Sequence, residues 1–483
     1  MSDENNNAEE QEYNIKPSFG SVIFVLLFLA IGMGVSVLWL DIPVHVTLIL
    51  TIVVASIVAM RAGYTWKQIQ DAMLYGANLA MLPMLILMVI GVVIGTWVAS
   101  GTIQTIIYYG LLIISPGYFL VAAAVAVAIT SMSTGSSYTS GGTVGVAMMG
   151  IGSGLGVPAA MTAGAVVSGA YLGDKMSPLS DSTNLAAAVG EADLFDHIKS
   201  MMYTTVPAFT LALVAYWILG LFYVEGGADA GQVDLILNTL RENFVINPIL
   251  LLPPILVIWM AIKKVDSLPT MIIASLVAAA LAMIFQGSSL TEITTVMNDG
   301  YVGDTGVEIV DELLTRGGLQ SMMWTVSLGF VGVGLGGILE KTRMLEVFLS
   351  KIDSLVRNTG GLIATTVGSA ILLNLATASQ YMAIIITGRM VIPEYKKKKL
   401  LPRVLSRTLE DAGTVFSPLV PWGLCGVFFT GALGVPTIQY APFAFLSLFV
   451  PVIAVIYGYT GYAIWYEGDI EDSTAYSEQA EEA

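Results

Sequence analysis

Two proline-centred segments hold the residues best suited to bind a small cation: GDKMSPLSDSTN at 173–184 and LEDAGTVFSPLVPW at 409–422. From Ala72 to Gly173 the chain has no Asp, Glu, Lys, Arg or His, and Asp174 ends that silence. Pro178 and Pro418 each remove a backbone donor and disfavour helix at the residue before them. Unwound backbone there exposes carbonyl oxygens. Side-chain oxygens come from Asp174, Ser177, Asp181, Ser182, Thr183 and Asn184 in the first segment, and from Glu410, Asp411, Thr414 and Ser417 in the second. A small hard cation such as Na⁺ needs an oxygen shell of this kind in place of its water. A carboxylate kept from water without a partner is costly to ionise, so it holds either a proton or a metal cation. Competition between the two couples their movements. Asp174, Asp181 and Asp411 are therefore the expected Na⁺ ligands, with Glu410 beside Asp411 facing the first pair. The competing reading makes these acids ordinary loop residues, Lys175 neutralising Asp174 and Arg403 or Arg407 pairing with Glu410 and Asp411.

Two further segments are polar but uncharged: SMSTGSSYTSGGT at 131–143 and NLATASQY at 374–381. Thr134, Ser136, Ser137 and Tyr138 in the first, and Asn374, Thr377, Ser379 and Gln380 in the second, could line the same cavity. Small residues also let membrane helices approach closely, which is the structural alternative. Glu191 and Glu340 read as loop acids, and the lysines at 396–399 as a topology signal and a contact for anionic lipid.

The elements that position these residues follow from composition. Of 483 residues, 55% are hydrophobic and 12% charged, against roughly 25% charged in a soluble domain. Most of the surface must therefore face lipid. A helix needs about 20 apolar residues to cross the hydrocarbon. The stretches 20–40, 44–60, 77–98, 201–223, 268–285, 319–339 and 441–466 meet that need, and 248–262 is a shorter one. The long runs 103–173 and 361–425 are apolar but broken by Gly, Ser, Thr and Pro. They are expected to form interrupted or re-entrant helices, shielded by protein or a water-filled cavity. The total expected is roughly 10–13 crossings, all α-helical. The net charge of −16 is concentrated in tails at 1–12 and 467–483 that contain no Lys or Arg. An acidic start is unlike a secretory leader, so 20–40 is expected to remain as the first span.

Cys425 is the only cysteine, and His45 and His197 match no zinc spacing. No G-x-x-x-x-G-K-[ST], H-E-x-x-H or G-x-S-x-G occurs, so neither ATP drive nor an intramembrane enzyme is expected. No cofactor or nucleic-acid partner is expected. The partners are the bilayer and the transported ions.

The chain repeats itself. Gly76, Met81, Leu87, Gly91, Val92 and Gly95 fall on Gly317, Met322, Leu328, Gly332, Val333 and Gly336. Gly63 to Gly76 has the spacing of Gly287 to Gly300, and Gly173–Leu179 is echoed by Gly413–Leu419. Basic residues then separate the copies. Residues 99–116 and 148–166 carry no charge, whereas 340–357 and 389–407 are rich in Lys and Arg; 61–76 carries Arg61 and Lys67, whereas 285–300 has no basic residue. Cytoplasmic loops collect Lys and Arg, so the copies are expected to be inverted, the recurrent plan of secondary transporters. The expected organisation is an acidic cytoplasmic tail at 1–16, a first repeat at 17–224, an extracellular linker at 225–246, a second repeat at 247–466 and a second cytoplasmic tail at 467–483. Charged breaks in two inverted halves fit a gated carrier better than a channel.

The motif GAYLGDKMSPLSDSTNLA at 169–186 closely resembles the signature of the NhaC family of Na⁺/H⁺ antiporters, and TGSSYTSGGTVG at 134–145 and EDAGTVFSPLVPWG at 410–423 fit it too. The likeness runs from about residue 18 to 465; Ser182 stands where threonine is expected and keeps the hydroxyl. The resemblance implies a prokaryotic plasma-membrane antiporter, a homodimer and elevator-type motion. It also brings in malate/lactate antiporters, which IQTIIYYGLLIISP at 103–116 and YTTVP at 203–207 resemble. Such a carboxylate cargo would need a positive group at the site, and Lys175 is the candidate.

Overall fold

The computed structural model describes residues 15–36, 39, 42–225, 230–263, 265–350 and 358–467. The acidic tails lie almost wholly outside the described residues, as does part of the 225–246 linker. The described chain is helical apart from isolated bridges at Tyr301–Arg316 and Leu400–Tyr466.

The first part runs α1 (Phe19–Val35), α2 (Val44–Ala62), α3 (Trp66–Ala99), α4 (Thr102–Ile113) and α5 (Pro116–Thr134). Next, α6 starts as Ser137–Ser140, passes a π-turn at Gly141–Gly145 and continues as Val146–Gly154, followed by α7 (Ala159–Met176), α8 (Asp181–Val189) and α9 (Leu194–Glu225). The second part runs α10 (Ala230–Asn243), α11 (Leu252–Ile262), α12 (Ser267–Leu281), α13 (Leu290–Asp299), α14 (Glu308–Leu314), α15 (Leu319–Lys341) and α16 (Met344–Leu349). It ends with α17 (Thr359–Thr377), α18 (Gln380–Lys397), α19 (Pro402–Gly413), α20 (Leu424–Leu433), α21 (Thr437–Tyr440) and α22 (Phe445–Thr460).

Among the described residues 7 helices are long and apolar enough to cross a membrane, or 10 if each sharply bent pair is one span. The upper count meets the lower end of the 10–13 expected. Each broken run supplies one such span, Pro116–Thr134 and Thr359–Thr377, beside shorter or more polar segments, and the described part of the stretch from residue 20 forms the short apolar α1. The interruptions themselves appear, though not only where expected. Pro402–Leu419 meets Leu424–Leu433 at 45°, at the end of a run expected to be broken, whereas Thr437–Phe443 meets Phe445–Thr460 at 58°, a break at the start of 441–466, a stretch expected to be one span.

The centre is an antiparallel crossing of α3 and α15. A Cβ on Gly76 would lie 2.0 Å from the Val333 carbonyl oxygen, and one on Gly337 2.2 Å from that of Ala72. At the other end, Gly318 N donates to Gly91 O at 2.7 Å, across the two helices. Only glycine allows backbones to meet this closely, the usual membrane alternative to large interlocking side chains.

Two sharp turns flank this pair. Gly135 joins α5 to α6 with φ +67°, and Ala378 joins α17 to α18 with φ +57°. In both, a threonine hydroxyl accepts the N–H two residues on: Ser136 N to Thr134 Oγ1 and Ser379 N to Thr377 Oγ1, each 3.3 Å. These hydroxyls satisfy donors that a turn inside a membrane protein cannot leave unpaired.

Candidate ion site

The site forms where α7 stops. Ser177 is already extended, Pro178 follows, and Ser180 precedes α8. Thr183 Oγ1 lies 2.8 Å from Asp174 O and 3.0 Å from Lys175 O, capping carbonyls that α7 leaves unpaired. Asn184 Nδ2 donates to Pro178 O and Ser180 O. Thr183 and Asn184 therefore hold the break open. In the second part, Asn374 Nδ2 donates to Gly413 O at 2.7 Å and serves the end of α19 in the same way.

Held in this frame, Asp174 is 3% exposed. Ser137 Oγ donates to its Oδ2 at 2.6 Å, and Ser180 Oγ donates to its Oδ1 at 2.7 Å. Asp181 opens α8; its Oδ1 accepts the Ser182 N–H at 2.9 Å and its Oδ2 accepts the Tyr381 hydroxyl at 2.7 Å. Both carboxylates line a cavity of about 780 Å³, together with Thr134, Ser136, Ser137, Tyr138 and Gln380. Its far walls are Leu79, Leu82, Pro83 and Ile86 of α3 and the turn Val265–Pro269 before α12. No Lys or Arg is among the lining residues.

A second cluster lies deeper. Ser182 Oγ donates to Glu410 Oε1 at 3.1 Å and stands 3.1 Å from Ser180 Oγ, so hydroxyls connect Asp174 to Glu410. Asp411 is fully buried, and its Oδ1 accepts from the buried Lys175 Nζ and from Thr204 Oγ1. Arg407 Nε stands 3.9 Å from Asp411 Oδ2. Lys175 thus pairs with Asp411 and does not neutralise its neighbour Asp174, because the last turn of α7 points the two side chains to different sides. Asp411 is held by cations away from the cavity. Ser417 Oγ lies 3.0 Å from Gln380 Oε1 and 3.1 Å from the Tyr171 hydroxyl, behind the cavity wall. Thr414, Thr377 and Ser379 are buried outside the lining.

The two remaining acids fall elsewhere. Glu191 sits in a turn with Lys396 at 2.7 Å, and Glu340 lies in the last turn of α15. Sequence reasoning missed Ser180, Tyr381, Asp266 and Ser267. Ser180 and Tyr381 adjoin residues that it did name, so the signal was present. Asp266 and Ser267 follow a basic loop with no distinguishing pattern.

Broken helices that bring the buried Asp174, the exposed Asp181 and several hydroxyls to one open cavity mark a membrane transporter. The chain belongs to the Na⁺/H⁺ antiporter family, whose model matches residues 169–462. It is 37% identical over 448 residues to the Na⁺/H⁺ antiporter NhaC of Alkalihalophilus pseudofirmus, covering 92% of this chain and 96% of the relative. It is equally 37% identical over 451 residues to the malate-2H⁺/Na⁺-lactate antiporter of Bacillus subtilis, covering 93% and 96%. The arginine/ornithine antiporter ArcD of Halobacterium salinarum is 35% identical over 461 residues, covering 95% of each chain.

Proposed function

We propose that this protein exchanges Na⁺ for protons, with Asp174 and Asp181 holding the cation and the protons in turn. The observation that carries this reading is the lining of the cavity: Asp174 and Asp181 converge there with Asp266, hydroxyl donors and no basic side chain. A cation is drawn to such a wall and a free carboxylate is repelled. Lys175, the one group that could attract lactate or malate, is committed to Asp411. Pure cation antiport is therefore preferred to a malate/lactate exchange. A basic amino acid, the cargo named for the halobacterial relative, would suit the acidic wall better than either organic acid would.

Inverted repeats support the alternating exposure that exchange requires. The matched glycines exchange partners across the central crossing: Gly76 meets Val333 and Gly337, while Gly317 meets Gly95. The two threonine-capped turns are equivalent in geometry. With Lys and Arg marking the cytoplasm, both termini lie inside. The Val265–Pro269 wall follows Lys263, so the cavity faces the cytoplasm.

The decisive assay is proton movement in proteoliposomes given Na⁺ alone, then Na⁺ with lactate, malate or arginine. Na⁺ alone should drive full exchange. A strict requirement for one of the organic solutes would replace this reading with that solute's transport. Because proton and cation compete, lowering the pH on the Na⁺ side should raise the half-saturating Na⁺ concentration and leave the maximal rate unchanged. Asp181→Asn keeps Asp174 but removes one anionic ligand. It should raise half-saturating Na⁺ by about tenfold, measured by the same flux.

A further inference from the structure

The two equivalent turns differ in what lies against them. Between the 134–136 turn and the Leu79–Ile86 face of α3 stands the cavity. The 377–379 turn has no such space, with Thr377, Ala378 and Ser379 at most 2% exposed. It is covered by the glycine face of α15. A Cβ on Gly336 would lie 2.2 Å from Thr377 O, and one on Gly332 would lie 2.5 Å from Trp422 O and 3.4 Å from the Ala378 Cβ. Trp422 in turn donates its Nε1–H to Leu375 O at 2.8 Å, and Leu424 N donates to Ala378 O at 2.9 Å. Backbone therefore rests on backbone along this seam, without a side chain between.

We infer that the seam between α15 and the 377–379 turn is the second entrance to the ion site, closed here, and that Gly332 and Gly336 are the residues that let it close. This rests on the antiport reading, because exchange needs access from both faces in turn. When the 377–379 turn parts from α15, the site opens to the face opposite the present cavity. The 134–136 turn then moves in towards α3. Glycine is required at the seam because any larger residue would meet a carbonyl oxygen that cannot withdraw while the entrance is shut.

The test uses the full chain with Cys425 replaced by Ala, carrying a single reporter, either Ser379→Cys at the seam or Leu82→Cys in the cavity. A membrane-impermeant maleimide is applied from either side of the vesicle. Gly336→Ala should speed labelling at 379 from the face opposite the cavity by about tenfold or more, slow labelling at 82 from the cavity side, and reduce exchange. Gly332→Ala should do the same, and it supplies the reading if Gly336→Ala does not insert. Gly334→Ala, whose Cβ would meet nothing within 4 Å, should leave both labelling rates unchanged. Unaltered labelling at both reporters in inserted Gly336→Ala or Gly332→Ala overturns the inference, as does a Gly334→Ala effect of the same size. Na⁺-driven proton movement by the unsubstituted chain is measured in parallel. Its absence would defeat the antiport reading, while the labelling rates decide the seam independently.

Discussion

Asp174→Asn should lower Na⁺-driven proton movement by about a hundredfold or more, while the protein still inserts and purifies. The substitution keeps the size of the side chain and one oxygen able to accept from Ser137 or Ser180, which donate at 2.6 and 2.7 Å. What it removes is the only charge at that point that a proton or Na⁺ can neutralise. Loss of transport with normal insertion therefore separates chemistry from folding. Exchange at the unsubstituted rate would remove Asp174 from the mechanism, and with it the reading of the cavity.

The second large effect falls on stability. Lys175 and Asp411 join the broken end of α7 to α19, and both are fully buried. Removing one partner of a buried pair leaves an uncompensated charge and costs about 3–5 kcal/mol. Asp411→Asn should therefore lower the thermal unfolding midpoint by several degrees, since Lys175 would be left facing Arg407 without its counter-ion. The double replacement Lys175→Met with Asp411→Leu should recover part of that loss, because a packed apolar pair avoids the desolvation penalty. Recovery should stay incomplete, as Arg407 loses its carboxylate neighbour while keeping its contacts to Ala463 O and the Trp465 ring. Thermal unfolding in detergent of Asp411→Asn, Lys175→Met, Asp411→Leu and the double replacement checks this. Additive single losses would show that the pair is not energetically coupled.

Much of this architecture is legible in the chain itself, and the reasons are local. Pro178 and Pro418 mark the helix breaks because proline acts on its immediate neighbours, and Thr134–Ser136 and Thr377–Ser379 announce their turns by composition. The charge-free run before Asp174 makes that residue conspicuous. Partnership across long sequence separation is not legible in this way. Nothing within the two motifs says that Lys175 reaches past Asp174 to Asp411, since that choice depends on how α7 and α19 pack. The number of crossings is hard to read for a related reason. Hydropathy gives the apolar length of 103–173, but Gly135 and the turn between Gly154 and Ala159 decide how that length is divided. Asp266 and Ser267 escaped notice because only the fold carries their turn to the cavity.

The glycine crossing of α3 and α15 has an electrical consequence. Each long helix carries a macrodipole equivalent to about half a charge at either end, and in an antiparallel pair with touching backbones the two largely cancel. The scaffold thus adds little field of its own along the membrane normal. The potential felt by a captured ion is left to the short segments ending near it: α5 and α7 with their carbonyl ends, α6 and α8 with their amide ends. Sensitivity to membrane voltage should accordingly reside in those fragments and their side chains, and repacking the long pair should leave it unaltered.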